Sequence, residues 1–313
     1  MSEKPTQIGI ILSRRLSEPA HRLHAPSART AVFALICAAL WAGQAVAVKL
    51  AVEVTPPYQV MALRFVLSIL TVGLFALVTW QSVVLPRRHI WWVLASAGFV
   101  FVQIGLFTVG AKHTSSVHSI VIISSFPFFT ALFCYVAPPR IATSRQTLSA
   151  SILAFAGVLA VFAGELTWAG PADLTGDLMV LASAAVMGAR IALIKSALGV
   201  IGPLKVVFWE AVVALPLFAA TSYLVERPPW PPWPTDAVSL AAIAYQGIAV
   251  SGVAFLLWNI LLSRHSPNDI TVFRLATPVM GVGLGWLILD EPLTPHLLLG
   301  AALLIVGMYR VMR

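Results

Sequence analysis

The chain has 313 residues, of which 59% are apolar and only 10% charged, and its mean hydropathy is +0.91. Soluble domains carry roughly a quarter charged residues, so composition excludes a soluble enzyme of one or two domains. Twenty Lys and Arg against 12 Asp and Glu give a formal charge of +8, which points to nucleic acid in a soluble protein but records loop orientation in a membrane protein, so the position of the charges decides their meaning.

Residues 1–30 form a basic tail with Lys4, Arg14, Arg15, Arg22 and Arg29. The apolar run that follows contains the signal-peptidase-like Ala45-Val46-Ala47, but the long basic region, a run of nearly spanning length and the many runs behind it argue against cleavage. A spanning helix needs about 20 mostly apolar residues. Ten such runs are present, at 31–50, 58–80, 90–111, 115–137, 147–164, 176–196, 204–224, 238–262, 268–289 and 295–311. Pro56-Pro57, Pro86, Pro138-Pro139, Gly170-Pro171, Gly202-Pro203, Pro267 and Pro292 punctuate the gaps. Connections are short and leave no room for a soluble domain. Cys37 and Cys134 both fall in apolar runs and read as packing residues, not as a disulfide or metal ligands. The loop 226–234, with Trp230 and Trp233 among prolines, reads as a stiff connector with interfacial aromatics.

Ten is even, so both termini share a side. One side of this arrangement collects 14 Lys and Arg and the other only three, Lys49, Lys112 and Arg227, which places both termini in the cytoplasm. The halves also match internally. Lys49 aligns with Lys195, Pro56 with Pro203, His113 with His265, Pro127 with Pro278 and Gly157 with Gly307, all at offsets of 146 to 152 residues. A steady offset across five landmarks indicates duplication. Each unit has an odd number of spans, so the second copy enters the membrane upside down. The expected fold is an all-α polytopic membrane protein of ten transmembrane helices, with a tail at 1–30 and two inverted five-helix repeats at 31–164 and 176–312.

At these landmarks the sequence resembles the EamA-like family of ten-helix carriers in the drug/metabolite transporter superfamily. The matching stretches are Leu40-Trp41-Ala42-Gly43 through Lys49, Pro57 and Arg64, then Leu257-Trp258-Asn259, Thr277-Pro278, and Glu291 through Thr294 with Gly300 and Gly307. One departure is the acidic residue of the last loop, Glu291, whose counterpart region in the first half reads Pro138-Pro139-Arg140. The resemblance implies secondary transport of a small organic metabolite across the inner (plasma) membrane, typically export of an amino acid or related amphipathic compound, with no cofactor. A multidrug efflux carrier or a flippase for lipid-linked substrates of the same fold is the alternative. No phosphate-cradling Walker loop is present in the sequence, so an ATP motor would be another chain. Expected partners are the substrate, the lipid bilayer and, as a candidate coupling ion, protons, with no nucleic acid, in a monomer or homodimer.

Ionisable groups inside spans cost roughly 2.5–3.5 kcal/mol each, so they face the interior or a wet cavity. Arg64, Arg190, Glu210 and Arg274 qualify. At 1.5 Å per residue, Arg190, Glu210 and Arg274 lie at about the same depth, roughly 8–9 Å from the cytoplasmic face, where they can form one cluster. Arg64 lies at similar depth from the outer face, near Lys49 and Glu53. Glu210 is expected to pair with Arg190 or Arg274 as an inner gate, with a static ion pair as the plain alternative. As the single acid assigned to a span, it is also the candidate proton carrier.

Candidates for the substrate pathway are Trp41 and Gln44, three apart on one helical face, Ser251 and Trp258, seven apart on another, and Gln103, Ser124, Ser125, Asn259 and Thr277. Helix packing is the competing use of the same residue types. The stripe Thr271, Arg274, Pro278, Gly281 and Gly285 in the ninth run either packs closely or lines a cavity. Pro127 and Pro278, at matching positions of runs four and nine, are expected helix kinks. Interruptions at corresponding places of two repeats point to a carrier's binding site. An intramembrane zinc protease is disfavoured because His113 and His118 are five apart, the wrong spacing for one helical face. A channel would need a ring of repeated filter groups assembled by oligomerisation.

Overall fold

The computed structural model describes residues 27–136, 152–153, 156–157, 159–160, 171–227, 234, 236–265 and 272–311. The described elements are all helical: α1 (Ala28–Val52), α2 (Pro57–Val78), α3 (Arg87–Lys112), α4 (Ser116–Ile123), α5 (Phe126–Val136), α6 (Pro171–Ile201), α7 (Pro203–Glu226), α8 (Ala237–Arg264), α9 (Ala276–Leu289) and α10 (Pro295–Val311). The helices at 28–52, 57–78, 87–112, 174–191, 203–226 and 237–264 are long and apolar enough to cross a membrane, and shorter apolar helices lie at 116–130, 276–289 and 295–307. The fifth predicted run, 147–164, the Pro138-Pro139-Arg140 loop and Thr271 lie almost wholly or wholly outside the described residues.

Several loop prolines turn out to open helices. Pro57 and Pro203 stand in the first turns of α2 and α7, where a missing N–H costs nothing and the fixed φ suits the helix. Side chains cap other starts: Ser27 accepts from the Thr30 amide in α1, Ser115 from the His118 amide in α4 and Asp236 from the Ser239 amide in α8.

The fourth run is not one kinked helix. It divides into α4 and α5 at Ser124-Ser125, upstream of Pro127. Pro127 has no N–H for the Ile123 carbonyl and its ring crowds that carbonyl, so the chain turns before the proline through short Ser125 N–H to Ile122 and Phe128 N–H to Ser125 bonds. The ninth run behaves alike. A 3-10 turn at Val272–Leu275 precedes α9, and Pro278 falls within the first turn of α9 instead of mid-helix. Within α8, residues Tyr245–Ala254 are wound as a π-helix.

The packing has a two-fold pattern. α1 packs on α8 and α9, α6 packs on α3 and α5, α2 packs on α7 and α8, and α3 packs on α7. Exchanging each helix for its counterpart five runs away maps these contacts onto one another. Direction is reversed as well. The last turns of α1, α3, α7 and α9 meet the first turns of α2, α4, α6 and α8 in one layer: Lys49 Nζ donates to the Thr114 carbonyl at 2.6 Å, Thr55 and Ser239 hydroxyls lie 3.1 Å apart, and Thr114 Oγ1 donates to Asp177 at 2.6 Å. Counterpart helices thus run in opposite directions, as an inverted repeat requires.

Side-chain polarity is inverted relative to a soluble globule. Arg64 and Gln246 are fully buried, while Leu74 and Leu77 of the same α2 that carries Arg64 are 62% and 75% exposed. In water this costs apolar hydration, whereas against lipid tails the apolar exterior costs nothing.

Candidate functional site

A cavity of about 60 Å³ lies among α1, α2, α3, α4, α6, α8 and the segment opening α9. Trp41 and Gln44 reach it from adjacent turns of α1, as their three-residue spacing dictates. Arg64 comes from α2, Gln103 from α3, Ser124 from the break between α4 and α5, Arg190 from α6, and Arg274 and Thr277 from the start of α9. A smaller cavity of about 20 Å³ shares Gln103, Arg190 and Phe255 with it and adds Glu210 and Ser251. Both repeats contribute to each cavity, and the two interrupted segments, Ser124-Phe126 and Arg274-Thr277, face the same space.

The four ionisable groups assigned to spans, of which Arg64, Arg190 and Glu210 are buried, are arranged differently from what depth alone suggests. Arg190 Nη2 contacts Glu210 Oε2 at 2.5 Å, and the other Glu210 oxygen accepts from Ser96. Arg274 does not join this pair. Its guanidinium lies between the rings of Trp41 and Phe126, 4.3 Å from each centroid and 5.3 Å from that of Trp258. Depth along a helix gives no azimuth, and a delocalised guanidinium is well served by aromatic faces. Arg64 is likewise not beside Lys49: it is 0% exposed and donates from Nε to the Ser251 hydroxyl of α8 at 2.5 Å, in the same cavity as Arg190 and Arg274. Lys49 is occupied with the Thr114 and Lys112 carbonyls.

Among the neutral candidates, Gln103 donates to Ser183 Oγ at 3.2 Å while Ser183 donates back to the Gln103 carbonyl, fixing the amide at the cavity wall. Ser124 donates to the Ile120 carbonyl and Thr277 to the Ala38 carbonyl. Three candidates do not line either cavity. Ser125 is fully buried and donates to Ile122. Asn259 donates to the Phe255 carbonyl of its own helix. Trp258 packs edge-on behind Trp41, with centroids 5.2 Å apart. Ser251 and Trp258 part company because the π-helix ends between them, at Ala254, and its five-residue hydrogen bonds change the helical register. Gly281 and Gly285 of the ninth run pack and leave lining to others: a Cβ on Gly281 would stand 2.5 Å from Ile120 Cγ1, and one on Gly285 2.5 Å from Val117 Cγ2.

Three polar arrangements have no place in the sequence reading. Asp177 is 0% exposed, bonded to Thr114 and, at 3.1 Å, to His118 Nδ1. Glu210 is therefore not the single acid buried in a helix. Asp177 falls one residue inside the run 176–196, at a position that reads as the loop edge, whereas α6 begins at Pro171, a turn and a half earlier. Glu291 has partners in space that its repeat lacks in sequence: it accepts from the Ser116 and Val117 amides at 2.7 and 2.8 Å and from the Ser116 hydroxyl, capping α4. Glu226 accepts from the Tyr58 and Gln59 amides at 2.7 and 3.0 Å and caps α2 in the same way. For Glu226 the available signal was a helix start at Pro57 with no side-chain cap of its own; α4 already has Ser115 as a cap, so nothing local in the sequence pointed to Glu291.

The sequence model of the EamA-like transporter family matches residues 28–163 and again 174–313. An uncharacterized transporter of Bacillus subtilis, YoaV, is 21% identical over 86% of this chain and 92% of its own length. An uncharacterized transporter of Archaeoglobus fulgidus is 25% identical over 87% and 95%. A probable amino-acid metabolite efflux pump of Escherichia coli is 31% identical over 24% of this chain and 25% of its own. A solved crystal structure of another protein superposes with a TM-score of 0.69 at 19% identity, covering 90% of this chain and 98% of the other, and shares the fold. Two copies of one family pattern, matched over nearly the whole chain and carried on oppositely directed helix sets, make this chain a member of the EamA-like transporter family.

Proposed function

We propose that the protein is a secondary carrier that moves a small organic metabolite across the plasma membrane by alternating access, with both termini cytoplasmic. The observation that carries this reading is the cavity built from both repeats at their interrupted segments, Ser124-Phe126 and Arg274-Thr277. Oppositely directed repeats that share one site can open it to either side by exchanging conformations. Arg190 and Glu210, joining α6 and α7 beside the cavity, act as a latch that one of the two conformations releases. The cavity's modest volume favours a small metabolite over a drug or a lipid headgroup. The Escherichia coli relative, named for amino-acid metabolite efflux, supports export as the direction.

Counterflow in proteoliposomes tests the carrier. Liposomes preloaded with unlabelled substrate should transiently concentrate labelled substrate, whereas a channel only equilibrates it. Proton coupling through Glu210 is read in the same vesicles: Glu210→Gln should then abolish uptake driven by a pH gradient while leaving counterflow.

A further inference from the structure

The cavity is short of negative charge. Arg64, Arg190 and Arg274 line it, and Glu210 is the only acid among the described residues of the two cavity walls. Its carboxylate is already engaged by Arg190 on one oxygen and Ser96 on the other. Arg64 is fully buried, and both its Nη1 and Nη2 lack a hydrogen-bond partner, while Nε alone is satisfied by Ser251. The Nε groups of Arg190 and Arg274 are also buried without a partner. Buried donors left unmatched on a cation are among the costliest features a protein can keep, and lipid-embedded guanidinium raises that cost.

We infer that the transported substrate is a small organic anion, and that Arg64, with Arg274 beside it, receives its carboxylate. The inference rests on the carrier reading and adds the substrate's charge class to it. A carboxylate offers paired oxygens that match the guanidinium fork of Arg64, whose Nη1 and Nη2 are without a partner while Nε is held by Ser251. Such a ligand removes the unmatched donors and the excess positive charge in one step. The uncharged part of the ligand meets Ile104, Phe107 and Ile120, which supply an apolar wall.

The same geometry speaks against a zwitterion or a cation. An ammonium group is ordinarily held by a carboxylate or by an aromatic face. Here the carboxylate is taken by Arg190, and the faces of Trp41 and Phe126 are taken by Arg274. The cavity of about 60 Å³ holds on the order of four to six waters by the usual probe measure, which sets the scale of the anion as a short-chain carboxylate.

The test uses the full chain purified in detergent, titrated at constant ionic strength with propionate, propionamide, propylamine and L-alanine. These share a three-carbon body and differ in charge. Binding is read as a saturable change in tryptophan fluorescence, to which Trp41 at the cavity wall responds, and as a shift in melting temperature. The expected result is binding of propionate at least tenfold tighter than of the other three, with Arg64→Gln and Arg274→Gln each weakening it tenfold or more. Arg64→Lys, which keeps the charge but not the fork, should recover only part of the loss. Equal or tighter binding of the amide, the amine or alanine overturns the anion class, as does the absence of propionate binding. The four-ligand comparison on the unaltered protein decides the matter even if an Arg variant fails to fold. Counterflow of alanine or propylamine with none of propionate would leave the carrier standing and remove the anion, so the two readings fail separately.

Discussion

Arg190 Nη2 lies 2.5 Å from Glu210 Oε2, and Ser96 of α3 donates to the remaining carboxylate oxygen, so α3, α6 and α7 are tied at one buried point. The two side chains are 7% and 5% exposed. An ion pair so placed contributes little net stability while intact, because desolvation offsets attraction, but is costly to break on one side.

Glu210→Met is therefore expected to destabilise the folded chain by about 3–5 kcal/mol, the range for a buried charge stripped of its partner. Arg190→Met combined with Glu210→Met should recover most of that loss. A double-mutant cycle followed by denaturant unfolding in mixed micelles measures both. Losses in Arg190→Met and Glu210→Met that simply add in the double variant would mean that the pair is not coupled.

Close packing of α9 on α4 yields a second prediction. A Cβ at Gly281 or Gly285 would come within 2.5 Å of Ile120 or Val117, whereas a Cβ at Gly283 meets nothing within 4 Å. Gly281→Ala and Gly285→Ala should each cost about 1–3 kcal/mol through overpacking. Gly283→Ala should be neutral or stabilising by up to ~1 kcal/mol, since alanine is the better helix former. Melting temperatures of the three purified variants provide the comparison, and uniform behaviour would contradict the packing described.

The contrast between these glycines marks what the sequence could and could not convey. Runs of apolar residues gave the helices because length and hydropathy act along the chain. Pro127 and Pro278 read as mid-helix kinks, whereas the helix breaks upstream of Pro127 and Pro278 falls in the first turn of α9, because a proline disturbs the turn before it. Depth arithmetic brought Arg190 to Glu210 but sent Arg274 there too. What it lacked was the rotation of each helix, which only packing fixes. Asp177, Glu226 and Glu291 escaped for a related reason: each is satisfied by a residue far away in sequence, from His118 to Tyr58 to Ser116. Trp41, Gln44, Gln103, Ser124 and Thr277 lie on the cavity wall, while Ser125, Trp258 and Asn259 lie behind it.

The two long-range helix caps give a third prediction. Glu291 satisfies two amides and a hydroxyl at the start of α4, and Glu226 satisfies two amides at the start of α2. Removing a cap costs about 0.5–2 kcal/mol, and a charged acceptor at a helix start belongs at the upper end of that range. Glu291→Ala and Glu226→Ala should each lower stability by about that amount. Hydrogen exchange offers a sharper check, because protection should fall first at Ser116 and Val117 in the former variant and at Tyr58 and Gln59 in the latter.

Orientation is the last consequence that can be measured. The layer holding Lys49, Glu226 and Glu291 carries few cations, and the opposite ends carry Arg87, Arg88 and Arg264. Since Lys and Arg are retained on the cytoplasmic side, the Lys49 layer should face outward. Glu53 and Ser82 are exposed residues at opposite ends of the α1–α2 hairpin region. With Cys37 and Cys134 replaced, Glu53→Cys should react with a membrane-impermeant maleimide in intact cells. Ser82→Cys should react only after the membrane is permeabilised. The reverse pattern would invert the topology and, with it, the side to which release of the Arg190–Glu210 latch opens the cavity. Labelling of both sites in intact cells would instead contradict the separation of these two ends by the membrane, on which the alternating-access reading depends.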